Sequence, residues 1–351
     1  TYILYRKQRE NVRKIQSTAN EYIHLVNSYL HDNISLEDEN SMATYSVGGL
    51  ILSNSGMITS NYWLSEVYDA QITNAHKNGD LYIHNINMLT GCSAGWSLED
   101  LILKGLPSVN KMISSLPAKH LSTLCNQMVN FLGIMQNEWA SAQSFAHFDT
   151  LLVPFIHQDK LSFKMVSDCL ESFIYGINIP SRWGTQAPFS QIPLVWHVPQ
   201  EFINNKAIVT GCECDFTYGD CQKEMKILHD ALFEVINKGD ISGRGFQFPI
   251  IALYLNPDFD WMHEEELFKA CAKYGTPYFL TKEKQDVEGY FGYKPLCGSM
   301  GVVTLNIVRL AYLSSSKEDF FKRLDNLSDV ALRSFEVKRQ VLNQLLEAGL
   351  Y

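Results

Sequence analysis

Three short segments set glycine beside polar side chains, a pairing that lets a sharp turn aim a reactive group at a ligand. They are Gly79-Asp-Leu-Tyr-Ile-His84, Pro180-Ser-Arg-Trp-Gly184 and Gly298-Ser-Met-Gly-Val-Val-Thr-Leu-Asn306. In the last, Gly298 and Gly301 permit close approach of backbone to a ligand, and the following β run is expected to present Asn306 from a rigid strand. Gly-x-x-Gly before a strand is common, so spacing alone favours packing over binding. His84, after a short apolar run, reads first as a structural histidine. Arg182 either clamps a phosphate or staples its loop against Trp183. Gly243-Arg244-Gly245 reads as packing, because no helix N-terminus follows to cradle an anion.

Eight cysteines (Cys92, Cys125, Cys169, Cys212, Cys214, Cys221, Cys271 and Cys297) are spread along the chain, a usage that suits a reducing cytosol. No CxxC pair occurs, so a four-cysteine zinc ribbon is absent, and Cys212, Cys214 and Cys221 read as free thiols on a loop between strands. No metal ligand set is expected in this stretch. The net charge of -9 argues against a general nucleic-acid binder, though a nucleotide in a pocket is permitted. No apolar run approaches the roughly 20 residues of a membrane helix, and a cytoplasmic protein is expected. The chain starts without Met and without a secretory pattern, as a piece of a longer polypeptide would.

The elements that must position these groups follow from periodicity. Val12, Ile15, Ala19, Ile23 and Val26 recur at helical steps within Tyr2 to Tyr29. A Ser, Gly and Asn-rich segment, Tyr45 to Ser60, then leads into a helix over Tyr62 to Asn78. Leu81 to His84 is a brief strand, Gly91 to Ser97 a loop, and Leu98 to Lys104 a helix that Ser97 and Asp100 would cap. Ala118 to Phe148 reads as one long, largely apolar helical stretch. Leu161 to Tyr175, Cys221 to Lys238, Glu264 to Lys273 and Lys317 to Leu346 are further helices. Gln191 to Val198 (weakened by Pro193), Phe246 to Tyr254 and Val302 to Ile307 are strand candidates. The alternation predicts an α/β architecture with buried strands.

Several long segments, taken in order, resemble the anaerobic, glycyl-radical ribonucleotide reductases. They are Thr44 to Gly56 (TYSVGGLILSNSG), Gly79 to Trp96 (GDLYIHNINMLTGCSAGW), Asn126 to Pro154, Tyr175 to Phe189 (YGINIPSRWGTQAPF), Phe216 to Pro249 and Ser299 to Leu310. The resemblance implies a ten-stranded α/β barrel made of two parallel five-stranded halves, occupying residues 31–351. Residues 1–30 would be a helix following an ATP-cone regulatory domain. The implied activity is reduction of ribonucleoside triphosphates for DNA synthesis. A radical-SAM activase with an iron-sulfur cluster would generate a glycyl radical, and the barrel thiol so oxidised would take the 3'-hydrogen of the substrate. Formate or a thiol would be the reductant, and ATP and dNTPs the effectors of a homodimer.

By the same resemblance, Cys92, Cys297 and Asn306 would be catalytic, with Asn306 bonded to the ribose. His84, Ser93, Ser181, Arg182 and Ser299 would line the substrate cavity. Gln127 and Lys119, on an expected helix from Ala118 to Trp139, would border the effector site. The pattern also departs from the family. The Met-Cys-Cys-Arg-Leu stretch expected between Tyr274 to Phe279 and Gly298 to Gly301 is replaced by a short, polar connection, Leu280 to Leu296, with no cysteine. Ser93 stands where a cysteine is usual, with Cys92 displaced by one residue, and Asn85 and Val308 replace Asp and Pro. The glycyl-radical segment and its four-cysteine zinc site are absent from this stretch. These departures leave a second expectation open, a non-catalytic nucleotide-binding or regulatory homologue.

Overall fold

The computed structural model describes residues 46–107, 114–181, 186–255, 264–281 and 294–350, with Ile23, Val26, Asn27, Phe259 and Met262 as isolated positions. Apart from Ile23, Val26 and Asn27, the expected helix over residues 1–30 lies outside the described residues, as does Arg182. Two compact units are formed, one from Thr1–Cys92, Arg182–Gln186 and Met300–Tyr351, the other from Ser93–Ser181 and Ala187–Ser299.

In chain order the first unit opens with α1 (Val47–Tyr62), α2 (Ala70–Lys77) and β1 (Leu81–Ile83). The second unit follows with β2 (Ser93–Trp96), α3 (Leu98–Lys104), α4 (Leu121–Met135), β3 (Gln143–Phe145), α5 (Phe148–Asp159), α6 (Phe163–Asn178) and β4 (Ser190–Val195). It continues with β5 (Lys206–Val209), β6 (Cys212–Thr217), α7 (Gln222–Lys238), β7 (Ile250–Leu255), α8 (Glu265–Tyr274), β8 (Tyr278–Thr281) and β9 (Cys297–Ser299). The first unit is then completed by β10 (Val303–Leu305), α9 (Ile307–Leu313) and α10 (Lys317–Glu347).

In the first unit β1 and β10 pair antiparallel, with Leu81 opposite Leu305 and Ile83 opposite Val303. Leu81 and Ile83 turn into a core with Trp63, Ile72, Leu310, Leu327 and Val330, while Tyr82 faces out. The Ser, Gly and Asn-rich segment Tyr45 to Ser60, expected to lead into a helix over Tyr62 to Asn78, is itself mostly α1. Ser46 Oγ caps its start by accepting from Gly49 N at 2.9 Å, and Thr59 and Ser60 fold their hydroxyls back onto the carbonyls of Ser55 and Gly56.

The second unit is built on a six-stranded sheet in the order β8-β7-β4-β3-β2-β9. Its first five strands are parallel, and β9 joins β2 antiparallel. Among the described residues the sheet is open, with β8 and β9 as its edges, so the expected closed ten-stranded barrel is not formed by them. The long helix expected over Ala118 to Phe148 is broken into α4, β3 and the start of α5. All three residues of β3 are buried, so this central strand carries no alternation to set it apart from a buried helix. Gly91 to Ser97, expected as a loop, contains β2.

Pro193 lies inside β4 without breaking it. The short β3 pairs only with Ser190 and Gln191, so beyond Gln191 that side of β4 asks for no ladder donor. Cys212 and Cys214 sit in β6, half of a two-stranded hairpin with β5, rather than on a loop. Among the described residues, no helix is long and apolar enough to cross a membrane.

Candidate active site

Residues paired in register across a sheet share a face, and alternate residues along a strand change face. Gly95 of β2 is opposite Cys297 of β9 on one side and Ser144 of β3 on the other; Ser144 is opposite Gln191 of β4, and Gln191 opposite Ile250 of β7. One row therefore reads Cys297, Gly95, Ser144, Gln191, Ile250. Two residues along, Ser93 and Ser299 stand opposite each other on the same face, where Ser93 Oγ accepts from Ser299 N at 3.2 Å. This face gathers a thiol, three serines and a glutamine. The other face carries Trp96, Gln143, Phe145, Ile192 and Leu194. There α4 packs, with Gln143 donating to Leu132 O and accepting from Trp96 Nε1.

Gly298 lies between Cys297 and Ser299, and a Cβ there would sit 2.2 Å from the Ser93 carbonyl oxygen. Only glycine lets β9 approach β2 this closely. The thiol of Cys297 is half-buried and free.

Three expected site residues among the described ones fall in the first unit. His84 follows β1; its N–H donates to Val302 O, its Nε2 lies 2.8 Å from Thr304 Oγ1, and its ring stands edge-on to Tyr82. Asn306 is not presented from a strand: β10 ends at Leu305 and Asn306 caps α9. Its Oδ1 accepts from Arg309 N at 3.0 Å and its Nδ2 donates to Gly79 O at 2.9 Å. The backbone must leave the strand for these bonds to close, which corrects the expected run to Ile307. Arg309 also pairs with Asp80 at 2.7 Å, tying the Gly79 turn to the same corner. Cys92 is buried, and its thiol donates to Asn85 Oδ1 at 3.4 Å, with Asn85 in the left-handed region at φ 56° that asparagine tolerates.

Ser181, exposed at the end of the second unit's first segment, accepts from Gln136 Nε2. Gln127, buried on α4, donates to Ser115 Oγ at 2.8 Å and Leu116 O at 2.7 Å. Lys119 is not on that helix, which starts at Leu121 after its N-cap His120. The expected helix from Ala118 to Trp139 is thus shorter at both ends.

A second polar cluster is not apparent from sequence. Asp149, at the start of α5, accepts from Val195 N at 2.7 Å and from His229 Nε2 at 3.0 Å, with the side chains of Asp149 and His229 0% and 1% exposed. Trp196 stacks on His229 at 4.4 Å and donates to Glu264 Oε1 at 2.9 Å, and Lys226 closes the chain on Glu264. The signals for it are an acid within the apolar run Phe145 to Phe155 and a histidine at a core position of α7; each must be partnered when buried.

Burial raises the pKa of the Cys125, Cys169, Cys214 and Cys271 thiols and pushes Cys221 up to about 12. Such thiols stay protonated, unlike a metal-binding thiolate. Among the described residues no His, Cys, Asp and Glu group could hold a metal ion, so zinc does not fit them.

A family model for anaerobic ribonucleoside-triphosphate reductase matches residues 39–351. The chain belongs to the anaerobic ribonucleoside-triphosphate reductase family. Solved structures of the anaerobic ribonucleotide reductase from Thermotoga maritima are similar in fold. The form with citrate in the active site gives a TM-score of 0.72 at 17% identity, covering 94% of this chain and 64% of that one. The form with dATP bound in the specificity site gives 0.71 at 16%, covering 94% and 59%. The complex with dATP and CTP gives 0.69 at 17%, covering 96% and 64%. The chain thus spans about three-fifths of the length of these reductases. A sequence search of curated proteins returned no significant match.

Proposed function

We propose that the protein containing this chain reduces ribonucleoside triphosphates to deoxyribonucleoside triphosphates by thiyl radical chemistry without oxygen, supplying DNA precursors. The observation that carries this reading is the reductase family match across residues 39–351. The polar face with a free thiol at Cys297 supports it, since a substrate needs small polar neighbours beside the group that exchanges hydrogen with it. We take the five parallel strands as one half of a ten-stranded barrel, whose enclosure would keep water from the radical.

In this reading Cys297 gives and takes the hydrogen atom at the ribose 3'-carbon. Cys92 is the second thiol, and Ser93, Ser299, His84, Ser181 and Arg182 line the substrate cavity. Asn306 already spends Oδ1 and one amide hydrogen on its own corner, which leaves one amide hydrogen for a ribose hydroxyl. Gln127 and Lys119 border the ATP or dNTP effector site of a homodimer in the cytoplasm. A glycyl radical made by an iron-sulfur activase would supply the oxidising equivalent, with formate or a thiol as reductant. This chain's residues then bind, orient and shelter the nucleotide.

The test is an anaerobic assay of the full-length protein with activase, S-adenosylmethionine, formate or a dithiol, and CTP. Deoxycytidine triphosphate is the expected product. A protein that shows the glycyl radical signal and forms no deoxynucleotide with either reductant would overturn the reading.

A further inference from the structure

Ser144 is 4% exposed, and its hydroxyl has no hydrogen-bond partner among the described residues. A buried hydroxyl left unmet works against folding, so the position asks for an explanation. Ser190, one strand away and 1% exposed, is likewise unmet, but the register places it opposite Gln143 on the face where α4 packs. Ser144 is on the other face, in one row with Cys297 and separated from it by Gly95 alone. Two strand spacings put the Cα atoms of Cys297 and Ser144 about 10 Å apart. Between them Gly95 raises no side chain. The row therefore holds a thiol, a glycine and an unmet hydroxyl, and a sugar ring lying against the glycine would meet both.

We infer that Ser144 is a substrate-positioning residue whose hydroxyl bonds a ribose hydroxyl of the nucleotide while the sugar lies over Gly95 beside Cys297. This rests on the reductase reading above and adds to it a residue that the family resemblance does not mark. Its hydroxyl can donate and accept, as a ribose hydroxyl can, so the pair needs no charge and suits a group near the reacting carbon better than the triphosphate. A side chain that holds the sugar in line with the thiol contributes through orientation.

Steady-state reduction of CTP by the activated full-length protein tests it. Ser144→Ala is expected to lower kcat/KM about 3- to 10-fold, mainly through kcat, the size of one neutral hydrogen bond. Its melting temperature should be equal to or above that of the unsubstituted protein. Ser144→Thr, which keeps the hydroxyl, should recover most of the loss, and Ser190→Ala should leave kcat/KM unchanged. An unchanged kcat/KM in Ser144→Ala would overturn the inference and leave the reductase reading standing. The inference fails equally if Ser190→Ala loses as much as Ser144→Ala, or if the loss tracks a lowered melting temperature. No turnover in the unsubstituted protein would remove the reductase reading itself.

Discussion

Asp149 and Ser144 are five residues apart and almost wholly buried, yet their surroundings differ in kind. Asp149 has Val195 N, Thr150 N and His229 Nε2 arranged around its carboxylate, and the chain of contacts runs on through Trp196 to Glu264 and Lys226. Ser144 has no partner among the described residues, and stands in a row with a thiol and a glycine. A buried polar group that is fully met holds the fold together; one left unmet in a row with a thiol is a place where a ligand can complete the bonding. The difference assigns structure to the first cluster and substrate handling to the second.

The comparison breaks most visibly at Asp149. Asp149→Ala strands the Val195 N–H and the His229 ring in a buried site, and a loss of about 3–5 kcal/mol is expected in denaturant unfolding. A loss below about 1 kcal/mol, the size of one ordinary hydrogen bond, would show that the cluster is not structural. Gly298→Ala is expected to cost about 1–3 kcal/mol, because the added methyl meets the Ser93 carbonyl and must push β9 from β2. It should reduce turnover far more than that destabilisation accounts for, since Cys297 is carried on the displaced strand. Wild-type turnover in this variant would separate Cys297 from the chemistry.

The smallest effect is a pH dependence beside Asp149. Burial holds the His147 pKa below its ordinary value of 6.5, against a weaker upward pull from Asp149. The unfolded chain therefore binds this proton first. The contribution of His147 to stability is full above pH 6.5, falls as pH drops below it, and levels off beneath the folded pKa. Unfolding free energies measured across pH 5 to 8 (roughly the histidine range) should lose part of their slope in His147→Gln. An identical slope would assign the titration to other groups.

Much of the helical frame is legible in the sequence. Ser97 and Asp100 signal the cap of α3, and the bond from Asp100 N to Ser97 Oγ is present at 3.0 Å. Helices α7, α8 and α10 lie where amphipathic spacing puts them, because each has a solvent face to set the period. The short strands β2 and β3 are not legible, since neither shows an in-and-out alternation of burial. Asn306 shows the same limit at a site: its type and glycine-rich approach are readable, whereas the bond from its amide to Gly79 O joins residues more than two hundred positions apart in sequence. The row from Cys297 to Ile250 exists only through register, which local spacing does not encode.

The claim that this sheet face performs the chemistry is tested most directly by Cys297→Ala in the full-length, activase-treated protein under anaerobic conditions. With an unaltered melting curve and a glycyl radical signal equal to that of the unsubstituted protein, deoxynucleotide formation should fall to background. Product formed at an undiminished rate would contradict the account and move the reacting thiol elsewhere.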